Sequence, residues 1–234
     1  MLRLVLFDID GTLIHSGGAG EKAFAKVCAM EFKVPNGTAQ LRFAGRTDTS
    51  IVRDFFVRNQ IDPSRDNFRR FFDCYVFWLD QMLHQTAGKV LPGVSCMINA
   101  FASLPEPPAI GLLTGNIRLG AEIKLRHYKL WESFVTGAFG DDHEERNCIA
   151  GIARDRGAQL LGDKLQGDEI LVIGDTPLDV ECGKSIDARV LAVATGNFPR
   201  KDLAAHKPTW VVDTLEEIEV EELCARSPRR SADL

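Results

Sequence analysis

Three largely apolar runs, Arg3 to Phe7, Ala109 to Leu113 and Glu169 to Ile173, each stop at short polar residues that open a turn. The first ends in Asp8-Ile9-Asp10-Gly11-Thr12, the second in Thr114-Gly115-Asn116 and the third in Gly174-Asp175-Thr176-Pro177-Leu178-Asp179. Short runs without polar alternation read as strands buried on both faces, which belong to parallel sheets covered by helices. Ligands bind beyond the carboxyl ends of such strands, so these polar residues stand where a site would be built. Further strands read at Phe134 to Thr136, Arg189 to Ala194 and Thr209 to Val212, with helical patterns between most of them. That alternation implies right-handed crossovers and an α/β fold in three layers, α/β/α, around a parallel sheet.

The stretch from Gly17 to Thr86 differs. Amphipathic helical patterns cover Glu21 to Phe32, Thr47 to Asn59 and Pro63 to His84, with no convincing strand. It reads as a small α-helical cap domain, residues 17–86, bracketed by Gly17-Gly18 and Gly88, with residues 1–16 and 87–234 forming the core. Phe68, Phe71, Phe72, Tyr75, Phe77 and Trp78 are better explained as the interior of that cap than as a substrate box. In Phe43-Ala44-Gly45-Arg46-Thr47-Asp48, the basic Arg46 precedes a helix; it either reaches a bound phosphate or substrate carboxylate when the cap closes, or stands in water at the helix start.

Asp8 and Asp10 place two carboxylates together with no Lys or Arg in the immediate sequence neighbourhood. One pKa should rise unless a cation shares the site, and a divalent metal is the economical resolution, although an Asx-turn ends a strand in the same way. Asp175 and Asp179 supply further carboxylates of the kind magnesium prefers, while Gly-Asp-Thr-Pro alone reads as a turn and an N-cap. The Thr114 hydroxyl, the Gly115 amide and the Asn116 side chain could donate to a phosphoryl oxygen; alone they read equally as a helix cap.

Asp8-Ile9-Asp10-Gly11-Thr12, Leu113-Thr114-Gly115-Asn116 and Gly174-Asp175-Thr176-Pro177-Leu178-Asp179, in that order, resemble the motifs of the haloacid dehalogenase-like (HAD) hydrolase superfamily. The closest look is to its phosphoglycolate phosphatase-like branch, with a helical cap between the first and second motifs. The resemblance implies a Rossmann-like core and a magnesium-dependent phosphatase acting through an aspartyl-phosphate. Asp8 would be the nucleophile and a metal ligand. Asp10 would act as acid and then base, with its backbone carbonyl on the metal; Asp175 would complete the metal site and Asp179 support it. Thr114 would hold the transferring phosphoryl group, with Thr12, Gly115, Asn116 and Arg46 as substrate contacts. The family expects a basic residue, usually Lys, between the second and last motifs. Arg146 is the choice here, near a predicted helix start; Lys164 and Lys124 are weaker, Lys124 being expected on a solvated helix face. A phosphomutase of the same superfamily and a non-catalytic phosphate-binding regulatory module are the alternatives.

Composition restricts the partners. A formal charge of -5, with no basic stripe beyond Arg226 to Arg230, disfavours nucleic acid, and no apolar segment is long enough to span a bilayer. The six cysteines are scattered without a Cys-x-x-Cys pair, which favours reduced thiols and a cytoplasmic setting. Gly183-Lys184-Ser185 lacks the leading glycine of a P-loop and reads as a helix end. The expected partner is a small phosphorylated metabolite, for a monomer or homodimer.

Overall fold

The computed structural model describes residues 1–225, so the basic run Arg226 to Arg230 lies outside the described residues. In chain order the elements are β1 (Leu4–Phe7), β2 (Ile14–His15), α1 (Ala19–Met30), α2 (Asp48–Arg58), α3 (Arg65–Gln85), β3 (Lys89–Val90), α4 (Val94–Ala102), β4 (Ala109–Leu113) and α5 (Arg118–His127). There follow β5 (Thr136–Ala138), α6 (Arg146–Leu161), β6 (Ile170–Gly174), α7 (Pro177–Lys184), β7 (Arg189–Val193), α8 (Arg200–Ala205), β8 (Trp210–Val212) and α9 (Val220–Cys224).

Six strands form one parallel sheet in the order β5-β4-β1-β6-β7-β8. The chain builds outward from β1 through β4 to β5, then returns to build outward again from β6. The order therefore switches between β1 and β6, where a crevice opens at the strand ends. Phe7 lies level with Leu112 on one side and Ile173 on the other, so three carboxyl ends arrive at one height.

Side chains alternate across the sheet. Val5, Phe7, Leu112 and Ile173 pack with Met97, Phe101 and Leu125 of α4 and α5. Leu4, Leu6, Leu113 and Val172 pack on the other face with Ile149, Ala153 and Cys182 of α6 and α7. The sheet is thus the middle of three layers, as the apolar runs predict.

A separate apolar cluster joins α1, α2 and α3. Phe24, Phe55, Phe56, Phe71 and Tyr75 are buried in it, and Ile117 reaches in from the loop after β4. Phe24 packs at 4.8 Å from the Tyr75 ring and 5.1 Å from that of Phe71. Phe77, expected inside, is 59 % exposed because it falls on the outer face of α3. Thr47 and Ser64 cap α2 and α3 by accepting from the backbone N–H groups of Ser50 and Asn67.

Two boundaries differ from the sequence reading. The chain enters and leaves the helical segment through an antiparallel pair, β2 with β3, in which Ile14 faces Val90 and His15 faces Lys89. Two-residue strands are too short to show a period. The strand placed at Phe134 to Thr136 is β5, Thr136–Ala138; a 3-10 turn over Trp131–Ser133 precedes it, and Phe134 packs edge-on against Phe7. Gly137 and Ala138 have poor strand propensity, yet a side chain at Gly137 would meet Leu112 of β4 at 3.1 Å, a tight contact that a small residue avoids. Among the described residues no helix is long and apolar enough to cross a membrane.

Candidate active site

Asp8 is fixed first by its backbone, whose N–H donates to the Ile173 carbonyl (2.9 Å) and carries the β1–β6 pairing one residue further. The chain then turns at Gly11, whose φ of +87° few side chains tolerate and where a Cβ would stand 2.4 Å from Asp175 Oδ2. The turn lets Asp175, just beyond β6, approach. Thr12 donates its hydroxyl to Asp175 Oδ1 (3.2 Å), and Thr195 donates to the Gly11 carbonyl (2.6 Å), tying the loop after β7 to the same turn.

Asp179 is held by a capping box at the start of α7. The Thr176 N–H and hydroxyl donate to its Oδ2 at 2.9 and 2.7 Å, and the Asp179 N–H donates to the Thr176 hydroxyl. Its other oxygen, Oδ1, receives Nη2 of Arg146, which also donates to Asp8 Oδ1 at 2.9 Å. Arg146 is the first residue of α6 and only 8 % exposed, and its Nη1 donates to the Gly45 carbonyl (3.2 Å). The sequence placed a basic residue here; the structure brings it onto two of the four aspartates.

One carboxylate oxygen from each of Asp8, Asp175 and Asp179 lies within 4.8 Å of the others, all buried. Three carboxylates meet one guanidinium, leaving an excess of negative charge away from water. Burial pushes Asp8 up to about 6, opposed by Arg146 and reinforced by Asp179 and Asp10. Burial also raises Asp175, and the Asp179 and Asp8 charges add to it. For Arg146, burial acts downward, but the Asp179 and Asp8 carboxylates outweigh it and its pKa rises. A cluster of hard oxygen donors with too little positive charge is the environment a divalent magnesium ion fits.

The Asp10 side chain faces elsewhere. Its Oδ2 accepts from Lys124 Nζ (2.6 Å) and from Asn116 Nδ2 (2.9 Å). Lys124 also donates to Asn116 Oδ1 (2.6 Å), and Asn116 donates to the Thr114 hydroxyl oxygen (2.9 Å). Lys124 is therefore not on a solvated face. It is 4 % exposed, because α5 turns Gly120, Ala121, Lys124 and Leu125 inward together. That stripe was the available signal: a lysine in register with Ala121 and Leu125 belongs to the buried side.

Arg46 lines the cavity, but its guanidinium lies along α2, with Nη1 donating to Asp54 Oδ2 (3.2 Å) and Nη2 to the Ser50 carbonyl (3.0 Å). Its neighbour Asp48 is the residue the sequence reading passed over. The Asp48 N–H donates to the Gly115 carbonyl (2.7 Å), and its Oδ2 accepts from the Ile117 N–H (2.9 Å). Burial pushes Asp48 up to about 7, with Lys124 pulling the other way. Nearby, Thr47 and Thr49 donate hydroxyls to the Glu144 and Gly140 carbonyls (2.9 and 2.6 Å), and Arg53 pairs with Glu144. Segment 45–53 thus rests on the loops after β4 and β5, over a cavity of about 340 Å³ whose walls include Asp8, Asp10, Asp48, Asn116, Lys124 and Arg146.

Residues 5–193 match the family model described as haloacid dehalogenase-like hydrolase. The chain is 24 % identical over 221 residues to an Arabidopsis thaliana bifunctional riboflavin kinase/FMN phosphatase, covering 93 % of this chain and 54 % of that protein. It therefore spans about half the length of that relative. It is also 24 % identical over 223 residues to a Clostridium perfringens protein described as putative pyrophosphatase PpaX, covering 93 % and 96 % of the two chains. Among solved structures, a predicted phosphoglycolate phosphatase from Haemophilus somnus 129pt superimposes with a TM-score of 0.69 at 17 % identity, over 96 % of this chain and 98 % of that one. With the three motifs converging at one switch point and the family model covering most of the sequence, the chain belongs to the haloacid dehalogenase-like hydrolases.

Proposed function

We propose that the chain is a magnesium-dependent phosphatase that hydrolyses a small phosphomonoester, phosphoglycolate-like or a sugar phosphate, through an aspartyl-phosphate on Asp8. The observation that carries this reading is the buried group of Asp8, Asp175 and Asp179 around Arg146, beside an independently anchored Asp10. An FMN phosphatase, a putative pyrophosphatase and a predicted phosphoglycolate phosphatase among the similar proteins all point to transfer of a phosphoryl group to water.

Arg146 holds Asp8 Oδ1, which orients the carboxylate and leaves Oδ2 to attack phosphorus. The bond from phosphorus to the ester oxygen breaks as Asp10 gives that oxygen a proton. Asp10, now a carboxylate, takes a proton from water, whose oxygen attacks phosphorus; the Asp8–phosphorus bond breaks and inorganic phosphate leaves. Thr114, Gly115 and Asn116 hold the transferring group, and Thr12 steadies Asp175. Asp8, Asp175 and the Asp10 carbonyl would hold magnesium, with Asp179 supporting them. When bound, magnesium supplies the positive charge that lets one anion approach another.

Residues 17–86 serve as a cap domain, supported by their own aromatic interior, and exclude bulk water from the acyl phosphate. A small phosphorylated metabolite is the partner, with no nucleic acid or membrane surface involved, and the protein acts in the cytoplasm as a monomer or homodimer. The test is phosphate release from a panel of esters with magnesium. Asp8→Asn should retain the thermal transition and lose turnover by at least ~10³-fold, as expected for removal of a covalent nucleophile, and a chelator should stop the native enzyme. Full activity of Asp8→Asn, or turnover undiminished in chelator, would overturn the mechanism.

A further inference from the structure

We propose that Asp48 and Tyr75 form a hydroxyl-recognising subsite on the helical side of the cavity, so that the substrate is the phosphate ester of an uncharged, polyhydroxylated alcohol rather than of a hydroxy acid. The inference rests on the phosphatase reading and narrows its substrate class.

Asp48 is 8 % exposed. Its Oδ2 is taken by the Ile117 N–H, whereas Oδ1 has no partner among the described residues and is not sealed from solvent. Tyr75 is 1 % exposed, and its hydroxyl is likewise unpartnered and unsealed. Both residues line the same cavity. A Cβ placed on Gly20 would lie 3.7 Å from the Tyr75 hydroxyl and 3.6 Å from Lys124 Nζ, so the phenol and the ammonium both face the start of α1. Burial raises the Tyr75 pKa, and the Asp48 and Asp10 charges raise it further, so the phenol stays a donor.

Buried polar groups are costly without partners, and a donor and an acceptor opening on one cavity are completed by a ligand group that both donates and accepts. An alcohol hydroxyl does this. Phe24 and Phe43, packed edge to face at 5.3 Å, and Ile51 form an apolar wall on the same cavity, matching the carbon-bound face of such an alcohol.

Charge argues against an acid. The Lys and Arg residues on the cavity wall are Arg46, Lys124 and Arg146, and each already has a carboxylate partner: Asp54, Asp10, and Asp8 with Asp179. His15 accepts at Nδ1 from the Gly17 N–H. Glu21 and Asp48 also line the cavity, so a substrate carboxylate would enter beside two further acidic groups with every neighbouring guanidinium and ammonium paired.

The test compares glycerol 3-phosphate with 3-phosphoglycerate, which differ by a carboxylate in place of a hydroxymethyl group, alongside phosphoglycolate and p-nitrophenyl phosphate, all with magnesium. The alcohol ester should exceed both acid esters in kcat/KM by about tenfold or more, the value of one well-made polar contact. Tyr75→Phe keeps the ring packing and removes only the hydroxyl. It should lower the ratio of kcat/KM for glycerol 3-phosphate to that for p-nitrophenyl phosphate by roughly tenfold, mainly through KM. Asp48→Ala should do the same, although it also releases the Ile117 N–H, so Tyr75→Phe decides. Acid esters cleaved as well as the alcohol ester, or an unchanged ratio in Tyr75→Phe, would overturn this inference and leave the phosphatase reading standing. No phosphate from any ester, p-nitrophenyl phosphate included, would overturn both.

Discussion

Asp48 is held in a setting that burial makes unfavourable for its charge and that Lys124 offsets only in part. Its pKa is raised from 3.8 to about 7, which fixes the sign of a pH effect. Below about pH 4 the carboxyl is protonated folded or unfolded and costs nothing. Between about pH 4 and 7 the unfolded chain ionises first, so folding loses stability as pH rises; above that the full cost persists, on the order of 4 kcal/mol. Asp48→Asn keeps an oxygen for the Ile117 N–H and removes the titration. Its thermal midpoint should exceed that of the native chain at pH 8, with the difference shrinking towards pH 5. A difference constant across that range would show that Asp48 does not titrate there. At this scale the four aspartates were readable because each sits at or just past a strand end, and strand ends are local features. Asp48 and Lys124 were not, since what makes them notable is burial against residues distant in sequence, Lys124 meeting Asp10 across 114 positions.

Elements that carry an apolar period were found nearly where they lie. The strand read at Ala109 to Leu113 is β4 to the residue, and the helix read at Thr47 to Asn59 is α2 with its cap residues included. Pairing between loops has no such period, and the contact of segment 45–53 with the loop after β4 could only come from the fold. Gly115 shows how close it is: a Cβ there would stand 2.1 Å from the Arg46 carbonyl oxygen and 3.1 Å from Thr47 Cα. Both obstacles are backbone, so Gly115→Ala must push the segment away and break the bond from the Asp48 N–H to the Gly115 carbonyl. The expected outcome is a loss of roughly 1–3 kcal/mol in denaturant unfolding, the range for inserting volume into a packed contact. A fall in kcat/KM of at least about tenfold should accompany it, because small displacements of positioning groups cost that much. Kinetics and unfolding together check the claim, and native values for both would mean that the loop yields without consequence.

At the scale of the whole molecule, a chain of net charge -5 concentrates three buried carboxylates at the switch point of its sheet, and the proposed magnesium ion ties the two halves of that sheet together. Asp8 comes from the end of β1, and Asp175 and Asp179 from beyond β6. The sequence indicated this convergence because parallel strands of similar length end at one height; which carboxylate meets which cation depended on packing it could not show. The arrangement makes metal binding and folding one linked equilibrium that depends on pH. Asp8 holds its proton up to about pH 6, and Asp175 is raised as well, so at lower pH the ion must displace protons that it need not displace at pH 8. Each proton displaced weakens binding by about 1.4 kcal/mol per pH unit below the relevant pKa. At pH 8 and a magnesium concentration near ~100 times its Kd, the stabilisation is about 2.7 kcal/mol, which raises the thermal midpoint of a chain this size by roughly 5–10 °C. At pH 5 the same concentration should give less than half that shift, and Asp175→Asn should abolish it at both pH values. A shift independent of pH, or one that survives in Asp175→Asn, would mean that the ion binds somewhere other than between the two halves of the sheet.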